Sequence, residues 1–175
     1  MKKSILALFI IGLVVIVAQS IYQQLNKKVA KSSRIECHKN VTVFERVYNN
    51  EKINAIQEFI KDGTFEISLK AEPSKYMKSQ LFNYVDSQAV KEYIQNSFGL
   101  TTLDNALKIN VLLYENDKED PGKKSAEAKM YAGYLMFDFY LENEMIYKVQ
   151  IDFMDMQGND INKTIDCIKQ SILSI

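Results

Sequence analysis

The stretch MYAGYLMFDFYLENEMIYKVQIDFM, Met130 to Met154, decides the fold. Its two halves, Met130 to Leu141 and Met145 to Met154, are dense in aromatic and branched residues and contain no proline, which predicts two strands. Glu142-Asn143-Glu144 between them is short enough for a hairpin. The first strand is apolar in both of its alternating sets. Met130, Tyr134, Met136 and Tyr140 share one face, and Tyr131, Leu135, Phe137, Phe139 and Leu141 share the other. A strand of this kind is either covered on both sides or presents one side to a ligand or partner. The Met and Tyr set is therefore a candidate binding face.

Working outward, Leu107 to Tyr114 reads as a third strand, joined to the hairpin by the polar loop Glu115 to Ser125 with its Asp120-Pro121-Gly122 turn. Val41, Val43 and Val47 predict a short first strand. Ile53, Ile56, Phe59 and Ile60 give helical spacing over Glu51 to Asp62, and Gly63 supplies the stop. Phe65, Ile67 and Leu69 alternate with Thr64, Glu66, Ser68 and Lys70, the pattern of a strand with one wet face. Ser74 to Ser97 predicts a helix in two pieces, the second capped by Asp86 and closed by Gly99. The chain ends on a helix starting near Asn159 or Asp160, with Ile161, Ile165, Ile168 and Ile172 forming one stripe. The order predicts an α+β domain: an antiparallel sheet of about four strands with helices packed on one face, preceded by an N-terminal hydrophobic helix.

That hydrophobic helix is read from Ile5 to Ala18, an unbroken apolar run behind Lys2 and Lys3. About 14 residues suits the core of an export signal better than a comfortable membrane span. Residues 1–20 are accordingly a signal peptide or signal anchor, with cleavage near Ala18 or Ser20 in the first case. Residues 21–36 form a helical stalk or juxtamembrane segment, and residues 37–175 form the single domain. Lys27, Lys28, Lys31, Arg34 and Lys39 make this neighbourhood basic. The predicted location is the inner membrane with the domain facing the periplasm, or the periplasm or exterior after cleavage.

Composition narrows the chemistry. With 22 basic against 22 acidic residues the net charge is +0, so there is no general footprint for nucleic acid. One histidine, His38, excludes a two-histidine zinc site, and no His-Glu-x-x-His motif is present. Cys37 beside His38 is not a catalytic pair, because neighbouring residues on a strand point apart. In an oxidising compartment the two cysteines, Cys37 and Cys167, are better read as a disulfide joining the start of the domain to its end. Gly122-Lys123-Lys124-Ser125 lacks the first glycine of a P-loop and reads as a solvated loop. Asp117, Glu119 and Asp120, or Asp152, Asp155 and Asp160, match no calcium-loop spacing. Asn40 and Asn162 fit the glycosylation acceptor pattern.

The expectation is a non-enzymatic envelope protein with no cofactor and no metal, associated with the membrane through its N-terminal segment and binding another envelope protein. Two alternatives stand beside it. One is a small-ligand binder with a Tyr- and Met-lined pocket between sheet and helices; the other is a hydrolase built on dispersed carboxylates.

Overall fold

A computed structural model describes residues 34–104 and 106–175. The signal, the cleavage sites and nearly all of the stalk predicted above lie outside these residues. The described elements are β1 (Val43–Val47), α1 (Ile53–Asp62), β2 (Glu66–Glu72), α2 (Leu81–Tyr84), α3 (Ser87–Phe98), β3 (Leu107–Glu115), β4 (Gly133–Leu141), β5 (Glu144–Phe153) and α4 (Ile161–Leu173). Short 3₁₀ turns occupy Glu36–His38, Asn50–Lys52 and Glu127–Lys129.

The fold is α+β with a five-stranded sheet in the order β1-β5-β4-β3-β2. The antiparallel, four-strand expectation needs correction, because β2 runs parallel to β3, pairing Glu66 with Lys108 through Glu72 with Tyr114. The connection explains it. A parallel pair needs a long crossover, and the helical segment between β2 and β3 is one. The remaining pairs, β1 with β5, β5 with β4 and β4 with β3, are antiparallel.

The hairpin is tighter than expected, with Leu141 pairing Glu144 directly. Glu142 and Asn143 take φ values of 53° and 68°, the left-handed pair that matches the twist of the flanking strands. The first half of the Ser74 to Ser97 helix is also corrected: residues 74–80 are not helical, and helix appears only at Leu81–Tyr84 and Ser87–Phe98. Asp86 does cap α3, accepting from the Gln88 amide at 2.8 Å. Gly63 ends α1 at φ 68°, where a Cβ would stand 2.0 Å from the Gly99 carbonyl oxygen.

The core lies on the side of the sheet defined by Leu135, Phe137 and Phe139, all 0% exposed. Phe98 of α3 stacks on Phe137 at 5.9 Å between centroids, and Phe65 meets Phe98 edge-on at 6.3 Å. The isoleucine stripe of α4 is buried at all four positions and packs on β5 and β4. α1 joins the same layer, with Gln57 Nε2 donating to the Ile172 carbonyl at 2.9 Å. Apolar rings and branched side chains fill this side; truncating one of the buried phenylalanines to alanine costs about 3–5 kcal/mol.

Candidate functional site

Strand parity sends the other side of the sheet away from α3 and α4. Since Phe137 meets Phe98, Tyr134, Met136, Asp138 and Tyr140 point outward from β4, and each is half-buried. The pairing sets them in rows. One row runs Phe44, Gln150, Met136, Leu112, Lys70, and its neighbour runs Arg46, Lys148, Asp138, Asn110, Ser68. The second row is tied by Lys148 to Asp138 at 3.1 Å and by Ser68 Oγ donating to Asn110 Oδ1 at 2.7 Å. A third row brings Asp152, Tyr134, Tyr114 and Glu72 together, with the rings of Tyr114 and Tyr134 stacked at 4.6 Å. Burial against these neighbours pushes the Tyr134 hydroxyl up to about 12.

Three of the four residues expected on this face are there: Tyr134, Met136 and Tyr140. Met130 is not on the strand. It follows the 3₁₀ turn at Glu127–Lys129 and is 67% exposed. The three do not line a space between sheet and helices, because that side is filled by Leu135, Phe137 and Phe139. Phe44, Leu112 and Tyr114 belong to the face as well. Strand alternation places them there once the strand order is known, but one sequence does not contain that order.

Cys37 and Cys167 form a disulfide, with Cα atoms 5.9 Å apart across 130 positions of sequence. His38, 1% exposed, pairs through Nε2 with Ser171 Oγ at 2.7 Å. Burial lowers the pKa of its ring, opposed by the Glu45 charge and helped by that of Arg34. Cys37, His38 and Cys167 bring three potential ligand atoms within 4.8 Å of one another. With both sulfurs in the bridge, no thiolate is offered to a metal. Arg34 forks onto Glu45 at 3.1 and 2.9 Å and donates to the Ser171 carbonyl at 2.7 Å. Tyr147, 0% exposed, donates to the same Glu45 at 2.7 Å, and burial together with that bond drives its pKa far up. These contacts fasten the start of the domain to its last helix.

Two acidic residues at the start of the stretch read as a polar loop are structural. Glu115 and Asp117 are each 3% exposed. Glu115 accepts from the Ser74 amide at 2.9 Å, the Ser79 hydroxyl at 2.6 Å and the Gln80 amide at 2.8 Å. Asp117 accepts from the amides of Lys75, Tyr76 and Met77 at 2.6, 2.6 and 3.2 Å. Burial pushes both carboxyls up, but the donated hydrogen bonds outweigh it and hold them below the usual carboxylate range. This explains the missing helix: the amides of Ser74, Lys75, Tyr76, Met77 and Gln80 are satisfied by carboxylates at and just past the end of β3 rather than by a helical ladder. Asp160 likewise accepts from the amides of Met154 and Asp155, at 2.7 and 3.3 Å. No described helix is long and apolar enough to cross a membrane.

No protein-family model matches the chain, and comparison with curated proteins returns no match. Among solved structures, the PelC L103M dodecamer from Paraburkholderia phytofirmans aligns over 76% of this chain and 98% of its own, at TM-score 0.41 and 5% identity. A second PelC dodecamer from the same species aligns over 77% and 95%, at TM-score 0.36 and 5% identity. A likeness this distant carries no functional reading.

Proposed function

We propose that this chain is a non-enzymatic cell-envelope protein, exported or held at the inner membrane by its N-terminal segment, whose domain binds another envelope protein through the open face of its sheet. The observation that supports the reading is that face itself. Phe44, Leu112, Tyr134, Met136 and Tyr140 sit half-buried, with no described helix packed over β4 on that side, among Arg46, Lys70, Lys108, Asp138 and Lys148. Aromatic residues, Met and Arg on a broad sheet surface with charges around them suit a protein interface better than a small-molecule cleft, which is concave. The disulfide fits an oxidising compartment and agrees with reading Lys2 to Ala18 as an export signal.

The test is co-purification of the full chain from native envelopes in mild detergent. Met136→Glu and Tyr140→Asp should each lose the bound partner, while Glu92→Lys on the exposed side of α3 should retain it. Retention of the same partner by all three variants would refute the reading.

A further inference from the structure

The loop read above as solvated carries one side chain that is not. Lys123, half-buried, turns back toward the sheet and sets its ammonium 5.5 Å from the ring centre of Tyr114 and 5.7 Å from that of Tyr131, within cation–π range of both. The same ammonium donates to Asn116 Oδ1. Asn116 is 0% exposed, and its Nδ2 donates to the carbonyls of Tyr131 at 2.8 Å and Ala128 at 3.2 Å. These two bonds fix the amide so that only its oxygen faces the cage. The Tyr134 ring stacks on Tyr114. The charges of Asp117, Asp120 and Glu72 act on Tyr114, and that of Asp152 on Tyr131. Two π faces and one oriented acceptor together make a site for a cation that has an N–H to give.

The peptide bearing Lys123 is held by local bonds: Asp120 N to Asp117 O at 3.3 Å, Gly122 N to Asp120 Oδ1 at 2.8 Å and Lys123 N to Asp120 O at 3.0 Å. These bonds survive if the loop swings as a unit. A cavity of about 240 Å³ that shares Tyr114 with the cage, bordered also by Glu72, Lys75, Tyr76, Asp117 and Asp120, gives room for a ligand body attached to the ammonium.

We propose that the place taken by the Lys123 ammonium is a binding site for the primary ammonium group of an alkylamine ligand, with the loop around Lys123 as its displaceable plug. The ammonium comes either from a small amine or from a lysine side chain of another polypeptide; the recognition chemistry is the same. A quaternary ammonium offers no proton to Asn116 and is discriminated against. The site borders the open face, sharing Tyr114 and Tyr134 with it, but it holds the ammonium through Tyr131 and Asn116, which the interface proposed above does not use.

The experiment is a titration of full-length Lys123→Ala, its Asn116 side-chain amide resonance followed by NMR. The probes are 1,4-diaminobutane, N-acetyl-lysine methylamide and tetramethylammonium. Without the tethered competitor, binding of a primary amine should tighten roughly ten-fold or more over the wild type. Adding Tyr131→Leu should abolish it, and adding Glu92→Lys, on the exposed side of α3, should leave it unchanged. Preference for the lysine derivative over the diamine assigns the ammonium to a polypeptide, and the reverse preference assigns it to a small amine. Lys123→Met, which keeps the side chain's apolar stem, serves in its place if the alanine variant melts early. No saturable shift in a folded variant, or an equal response to tetramethylammonium, would overturn the proposal.

Discussion

Opening the Cys37–Cys167 bridge is the perturbation whose size follows most directly from the structure. The bond closes a loop of 130 positions. In the chain-entropy treatment this removes about 17 cal/mol/K from the unfolded ensemble, or about 5 kcal/mol at 25 °C. A domain of this kind has roughly 5–15 kcal/mol in all. The folded side loses little, because Arg34 on Glu45 and Ser171, together with His38 on Ser171, still dock the same segment on α4. The reduced protein should therefore unfold at lower denaturant. With a slope of roughly 4 kcal/mol/M in guanidinium chloride, the midpoint should fall by about 1 M. The assay is guanidinium unfolding of oxidised protein, of dithiothreitol-reduced protein and of the double variant Cys37→Ala/Cys167→Ala. Before reduction, neither cysteine should take up iodoacetamide. A loss below about 1 kcal/mol would refute the reasoning, since the unfolded chain would then already hold its two ends together.

Four further outcomes are expected. Arg34→Ala should cost about 1–3 kcal/mol, because Glu45 keeps its bond from Tyr147 but loses the fork; Arg34→Lys should recover only part, as read by thermal melting. Gly133→Ala should cost about 1–3 kcal/mol, since its Cβ would lie 2.1 Å from the Tyr114 carbonyl oxygen and 2.4 Å from the Phe153 ring; chemical denaturation reads the loss. Glu115→Ala should leave the amides of Ser74 and Gln80 without their acceptor, costing about 2–4 kcal/mol and exposing residues 74–80 to hydrogen exchange. Stability should fall on acidification in two stages. Burial sets the proton uptake of His38 in the fold below that of the unfolded chain, which begins near pH ~6.5, so the first loss begins there. Glu115 and Asp117, held below their ordinary values, bring the second loss below pH ~4.3, and His38→Asn should remove only the first stage from denaturation midpoints measured against pH.

Local pattern made much of this fold legible. Alternation located β2, and runs of apolar, aromatic and branched residues located β3, β4 and β5, to within a few residues, and the isoleucine stripe of α4 and the stop at Gly63 followed from spacing and from the needs of a left-handed residue. What escaped was set by partners far away in the sequence. The parallel pairing of β2 with β3 depends on where the crossover returns. Residues 74–80 look helical by composition, yet they fold around two carboxylates roughly 35–42 positions on. Glu115 and Asp117 themselves resemble ordinary loop acids, because a sequence does not mark which carboxylates will meet amides. The Met and Tyr face of β4 was legible by parity, whereas its extension to Phe44 and Leu112 required the strand order. Lys123 resembled any loop lysine; its meeting with Tyr131 and Asn116 comes from a turn that folds back on the end of the sheet.

We have proposed contact between the open sheet face and another envelope protein. Its most direct test is site-specific photo-crosslinking in intact cells, with a benzophenone side chain at position 136 and, as the control, at position 92 of α3. A discrete cross-linked protein is expected at position 136, lost when Tyr140→Asp is added, and none at position 92. No adduct at 136, or the same adducts at both positions, would contradict it.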